Sequence, residues 1–174
     1  GAGNQALNFD GTNDYVEVSS ARKLYRVFES GKWTITYFAN TAVTTGSYPI
    51  SFGNSASGSI YTAMLFNASS KVQVNSAGGG GANLVGAAVN SATPNKWERY
   101  TITADAAVPE FSIRVNSVVA DSNALPPSYS VGEIDRFTIG ALGISTTIAY
   151  VAGFLTDFRV YNYAISQRLD RLLA

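Results

Sequence analysis

ALNFDGTNDYVEV, residues 6–18, and GFLTDFRVYNYAIS, residues 153–166, decide how this chain is to be read. Each alternates apolar and polar side chains with the two-residue period of a half-buried strand. Each also sets acidic or amide side chains where a strand runs into a turn: Asp10, Asn13 and Asp14 in the first, Asp157 in the second. Between them lie further runs rich in β-branched and aromatic residues, at 33–39, 48–52, 60–66, 71–74, 97–103, 111–115 and 136–139. Such side chains fit a pleated, half-buried surface. Turn signals separate the runs at short intervals: Asp10-Gly11, Gly46, Gly53-Asn54, Gly58, Pro94-Asn95, Asn116-Ser117 and Pro126-Pro127. Many short strands with frequent turns predict an all-β chain, an antiparallel sandwich or jelly roll.

The alternation also predicts which side chains point inward. Phe111, Ile113 and Val115 fall on one face of their strand, with Glu110, Ser112 and Arg114 on the other. In the last strand Phe154, Thr156, Phe158 and Val160 share a face, opposite Leu155, Asp157, Arg159 and Tyr161. Two short peripheral helices are expected. One spans residues 20–28, with Leu24, Val27 and Phe28 on a stripe. The other spans 166–173, where Ser166 caps and Leu169, Leu172 and Leu173 recur at helical spacing. Gly78 to Gly81 is expected to be a loop, since it lacks the Lys-Ser/Thr and helix of a phosphate cradle.

Composition narrows the function. At 174 residues the chain fits one domain, 1–174, with Gly1 to Gly3 reading as the cut edge of a longer protein or a linker. Hydrophobic residues make up 46%, enough for a core, while charged residues make up 14% against about 25% in typical domains. Hydroxyls and amides keep the surface wet, as in secreted, cell-wall and virion proteins. Lys plus Arg and Asp plus Glu each number 12, so there is no basic excess for nucleic acid. Arg22, Lys23 and Arg26 read as the solvated side of the first helix. No apolar run of about 18 residues exists to insert in a membrane. With no cysteine and no histidine, disulfides, thiolate metal sites, a cysteine nucleophile and the commonest general base are excluded.

The two terminal motifs, with WTITYFAN at 33–40, Trp97 opening WERYTI, SIRVNSVV at 112–119 and RFTIGA at 136–141, are similar in order to laminin-G-like, concanavalin A-like jelly-roll domains. The resemblance covers essentially the whole chain. Many relatives carry a histidine soon after the tryptophan and an Asn-Gly turn later; here those places hold Arg99-Tyr100 and Asn116-Ser117. The resemblance implies a binding module for glycans, proteins or cell-surface receptors. Relatives are often appended to enzymes, adhesins or phage tail proteins, and a minority are glycoside hydrolases or polysaccharide lyases.

Catalysis finds little support. A glycosidase needs two carboxylates roughly 5 to 9.5 Å apart across the scissile bond. The Glu-x-Asp-x-x-Glu string of the hydrolytic branch is missing, and acidic residues are dispersed, the nearest pairs being Asp10 with Asp14 and Glu133 with Asp135. Two readings stand for Asp10, Asn13, Asp14 and Asp157. They supply the hard oxygens that a structural calcium takes, as many relatives hold one near the chain ends. Alternatively Asp10-Gly11 is a tight turn closed by Asx contacts, and Asp157 pairs with Arg159 or caps a neighbouring loop.

For a sugar, rings that can stack on a pyranose are needed, with amides to read its hydroxyls. Trp33 and Trp97 occupy structural positions of the family and are expected in the core. Tyr48, Tyr61, Tyr129 and Tyr150, with Asn54, Asn83 and Asn123, sit in or beside loops and form the candidate ligand set. The expectation is a non-catalytic module located outside the cell, on a cell surface or on a virion. Its partner would be a glycan or cell-surface receptor. The alternative is an assembly module of a tail fibre or adhesin, contacting copies of itself or neighbours in a parent protein.

Overall fold

The computed structural model describes residues 5–19, 26–28, 30–42, 46–54, 60–66, 72–75, 86–88, 92–108, 110–124, 134–143 and 147–172. The strands are β1 (Leu7–Asp10), β2 (Val16–Ser19), β3 (Lys32–Thr41), β4 (Ser47–Gly53), β5 (Ile60–Phe66), β6 (Val72–Asn75), β7 (Gly86–Ala88), β8 (Glu98–Asp105), β9 (Glu110–Val115), β10 (Val118–Ala124), β11 (Arg136–Ile139), β12 (Leu142–Gly143), β13 (Thr147–Ile148) and β14 (Ala152–Tyr161). They form two six-stranded antiparallel sheets, ordered β1-β14-β3-β8-β9-β10 and β2-β11-β4-β5-β6-β7, with β12 and β13 as a small hairpin. The opening motif therefore splits between sheets: β1 edges the first and β2 the second, joined by the turn at Asp10–Asp14.

The core lies between the sheets and follows the strand parity. Trp33, Ile35, Tyr37 and Ala39 of β3 are buried beside Tyr100, Ile102 and Ala104 of β8 and Phe111, Ile113 and Val115 of β9. From the second sheet come Ile50, Phe52 and Phe137. Ring contacts knit the layers: Phe28 meets Trp33 edge-on at 5.1 Å and Phe52 at 4.8 Å, and Phe137 stacks on Phe52 at 4.5 Å.

The last strand departs from the simple alternation. Thr156 pairs with Phe38, but the next partners are Arg159 and Thr36, so β14 carries one extra residue. Asp157 absorbs it at φ 51°, a left-handed conformation that Asp tolerates better than most residues. The bulge reverses the parity midway. Leu155, Phe158 and Val160 turn toward the core, while Phe154, Thr156, Arg159 and Tyr161 share the outer face. The expected pairing of Phe154 and Thr156 with Phe158 and Val160 is thereby corrected.

The C-terminal helix, Gln167–Leu172, forms where expected, with the Leu169 N–H donating to Ser166 Oγ at 3.3 Å. Its buried residue is not a leucine. Leu169 and Leu172 face solvent, whereas Asp170 is fully buried against the outer face of the first sheet. Of the earlier helix, residues 26–28 are helical and residues 20–25 lie outside the described residues, as do Gly78 to Gly81.

Candidate functional site

The outer face of the first sheet is polar by parity, and the C-terminal segment closes most of it. Thr34 Oγ1 donates to the Tyr163 carbonyl at 2.9 Å and accepts from the Ile165 N–H at 3.0 Å. Arg114 Nη1 donates to the Ile165 carbonyl at 2.8 Å. Arg99 reaches Asp170 twice: Nη1 donates to the carbonyl at 2.7 Å, and Nη2 lies 2.9 Å from Oδ1. Thr101 Oγ1 donates to the same Oδ1 at 2.9 Å. Burial pushes the Arg114 guanidinium below its ordinary value, partly offset by the Asp170 and Glu110 carboxylates.

One end of this face stays open, and it carries aromatic rings. Phe154 opposes Asn40, Thr156 opposes Phe38, and Phe38 opposes Arg99. Trp97 stands just before β8, next to Asn40 in register. It is 49% exposed and its ring lies 6.3 Å from that of Phe154, which is 41% exposed. Trp97, Phe38, Thr156, Asp157 and Ala6 line a cleft of about 360 Å³. The Asp157 carboxylate accepts from Arg159 Nε at 2.7 Å and Nη2 at 3.0 Å, a bidentate pair at the rim. Its hydrogen bond raises the Arg159 guanidinium further, as does Tyr161.

The expectation that both tryptophans are structural holds for Trp33, which is fully buried, and fails for Trp97. The signal was present in the alternation. Tyr100, Ile102 and Ala104 mark the inward parity of β8; Trp97 shares the parity of Arg99, Thr101 and Thr103. Phe154 was hidden by the bulge.

Of the sequence candidates, Tyr48 and Tyr150 come together: the Tyr48 N–H donates to the Ala149 carbonyl at 3.2 Å. Tyr15 joins them, its ring 6.3 Å from Tyr150. Asn54 follows the opposite end of β4, and Tyr61 stands near it in β5, beside the Gly53–Ile60 pair. Asn123 sits in β10 opposite Phe111, on the far side of the first sheet. Asn83 and Tyr129 lie outside the described residues. The five candidates among the described residues therefore fall in separate places.

The turn residues behave as an Asx-type closure. Asp10 Oδ1 accepts from the Thr12 and Asn13 N–H groups at 2.7 and 3.2 Å, and Asp14 Oδ2 accepts from the Asp10 N–H at 3.1 Å. The bonds from the Thr12 and Asn13 amides hold the Asp10 carboxyl below the usual carboxylate range. Asp10 pairs with Ala152, whereas Asp157 lies five residues further along β14, about 16 Å at the strand rise. The structure does not bring Asp157 to Asp10, Asn13 and Asp14. Among the described residues no three acidic side chains converge to hold a metal ion. It does bring together Asp105 and Glu110, cross-strand partners in the β8–β9 hairpin that were far from obvious as a pair. Asp105 is engaged by Lys32 Nζ at 3.5 Å and by the Ala107 N–H at 2.9 Å.

The profile of the concanavalin A-like lectin/glucanases superfamily, of laminin-G type, matches residues 10–168. The chain belongs to this superfamily. Among solved structures it is similar to the CBM40 module of Ruminococcus gnavus IT-sialidase bound to α2,3-sialyllactose. That likeness has a TM-score of 0.80 and 13% identity over 97% of this chain and 95% of that one. It also superposes on the NanB sialidase of Streptococcus pneumoniae, with a TM-score of 0.76 and 15% identity, covering all of this chain but 27% of the sialidase. A heptameric SAP-like pentraxin from Limulus polyphemus gives 0.71 at 11% identity, over 97% and 81% of the two chains. No curated protein sequence matches significantly. At these identities the superpositions establish the fold.

Proposed function

We propose that this superfamily member is a non-catalytic carbohydrate-binding module, working outside the cell or on a virion, and that it binds on the open end of its first sheet. The observation that carries this reading is the exposed Trp97–Phe154 pair beside a cleft lined by Asp157, whose carboxylate Arg159 holds. An exposed indole offers the apolar face of a pyranose a flat partner, and the neighbouring carboxylate, guanidinium and Thr156 hydroxyl supply bonds for sugar hydroxyls. The R. gnavus module, solved bound to α2,3- and to α2,6-sialyllactose, supports a glycan as the ligand class.

A broad glycan array with the wild type and Trp97→Ala tests the proposal. A specific hit that Trp97→Ala removes supports it; a hit that survives moves the site to the Tyr15, Tyr48 and Tyr150 cluster. Running the array with calcium and again with excess chelator reads the Asp10–Asp14 turn. Loss on chelation assigns a bracing ion there, and persistence leaves the turn to its hydrogen bonds.

A second reading, assembly within a fibre or adhesin, draws on the solvent-facing Leu169 and Leu172 of the docked helix. Light scattering separates the two: a monomer speaks for the glycan role, a trimer for assembly.

A further inference from the structure

A second cleft adjoins the first. At the open edge of the sandwich, Leu7, Tyr37, Ile50, Ile139, Leu155 and Phe158 enclose about 180 Å³ between the two sheets. The lining is predominantly apolar. Thr156 and Asp157 border both clefts, so the two are separated by one stretch of β14. The pairing of β1 with β14 ends at Leu7 and Leu155, and beyond it Thr156 Oγ1 donates to the Gln5 carbonyl at 3.2 Å. The bulge at Asp157 therefore lies where the two clefts meet, Ala6 lining the outer one and Gln5 the inner, and a ligand can reach from one to the other. Leu7, on the edge strand, is 47% exposed although it lines the inner cleft, an apolar side chain at a mouth.

Resting on the carbohydrate reading, we infer that the ligand is amphipathic: a glycoside whose sugar lies on Trp97 and whose apolar aglycone enters the cleft between the sheets. The size fits one aromatic ring or a short branched alkyl group, since an apolar cavity of about 150 Å³ accepts benzene. The charged Asp157–Arg159 pair marks the boundary between the two halves, keeping the polar ring outside and leaving the apolar lining for the aglycone.

The test measures the affinity of phenyl and methyl glycosides of the sugars that the array identifies, or of glucose, galactose and sialic acid where it identifies none. Wild type, Leu7→Glu and Trp97→Ala are compared by titration calorimetry, with thermal melts confirming the fold of each variant. The expected result is that the phenyl glycoside binds wild type about tenfold more tightly than the methyl glycoside. Leu7→Glu should erase that ratio while leaving the methyl glycoside unchanged, and Trp97→Ala should weaken both. Equal affinity of phenyl and methyl glycosides for wild type overturns the amphipathic ligand alone. Binding of neither overturns the carbohydrate reading and this inference with it.

Discussion

Replacing Asp170 by alanine should cost more than any leucine of the same helix. The carboxylate is fully buried, 2.9 Å from both Arg99 Nη2 and Thr101 Oγ1, with Arg114 Nη1 at 4.0 Å. Its removal leaves the Arg99 guanidinium buried on a single bond to the Asp170 carbonyl. Breaking one partner of a buried pair typically costs about 3–5 kcal/mol. The chain has one escape, which is to release residues 162–172 and let water reach both arginines. Release forfeits the burial of Ile165, about 2 kcal/mol, and the segment's hydrogen bonds to Thr34, Arg99, Arg114 and Ser117, about 1 kcal/mol each. Chain entropy regained by the freed segment, about 1 kcal/mol per residue, opposes this loss and keeps release open to the variant. With the segment still docked the loss is about 3–5 kcal/mol, and release can only lower it. Urea unfolding followed by tryptophan fluorescence gives the number, and hydrogen exchange at the Ile165 amide tells whether the segment is released. A double variant, Arg99→Met with Asp170→Leu, should recover at least half the loss, because an apolar pair carries no stranded charge. A loss under about 1 kcal/mol in Asp170→Ala, with the Ile165 amide still protected, would refute the reasoning.

Three further outcomes follow from individual residues. Trp97→Ala should abolish glycan binding with a melting temperature close to wild type, since half of the ring is already in water; a large drop in melting temperature would return Trp97 to the core. Gly153→Ala should destabilise by at least about 3 kcal/mol, because φ is 134° and the new Cβ would press on the Asn40 carbonyl; chemical denaturation measures it. Stability should fall steeply above about pH 10. Burial raises the Tyr37 hydroxyl well above tyrosine's ordinary value, and burial plus the Glu98 carboxylate does the same for Tyr100. Below pH 10 both states hold these protons. Above it the unfolded chain releases them while the native state does not, which gives a slope of about 2.7 kcal/mol per pH unit for the two together. Tyr37→Phe should halve that slope in pH-dependent urea melts.

The sandwich was legible because side-chain polarity and strand period agree along most of the chain. β3, β8 and β9 alternate cleanly: their apolar sets line the core, and their polar sets are largely buried on the opposite face. Legibility failed where a local backbone event overrode the period. One extra residue at Asp157 reversed the parity of β14, and no side-chain pattern announces a bulge that an Asp can occupy. It failed again at the C-terminal helix, whose leucine spacing suggested an apolar docking face. The helix lies on a polar sheet face, so its docking residue is the one that matches Arg99 and Arg114. Trp97 departs for a different reason: its position in the family motif implies the core, whereas its parity with Arg99, Thr101 and Thr103 puts it on the outer face. The Asp10–Asp14 turn was half legible. Its local closure followed from the sequence, but its separation from Asp157 depends on the register of β1 against β14, which only pairing reveals.

The same buried pair links the site to the end of the chain. Phe38 lines the cleft below Trp97, and its cross-strand partner is Arg99, the residue that Asp170 holds. Binding and docking therefore share one row of the sheet. In Asp170→Ala, Arg99 gains freedom beside the cleft, so affinity for the phenyl glycoside should fall several-fold even at temperatures where the sheet remains folded. Trp97→Ala should show the reverse signature, with affinity lost and the Ile165 amide still protected. Measuring both quantities in both variants separates a preformed cleft held by the C-terminal segment from one that the sheet holds alone. If Asp170→Ala releases the segment yet binds as tightly as wild type, the strands by themselves fix the geometry. The C-terminal helix then serves only to cover polar sheet surface.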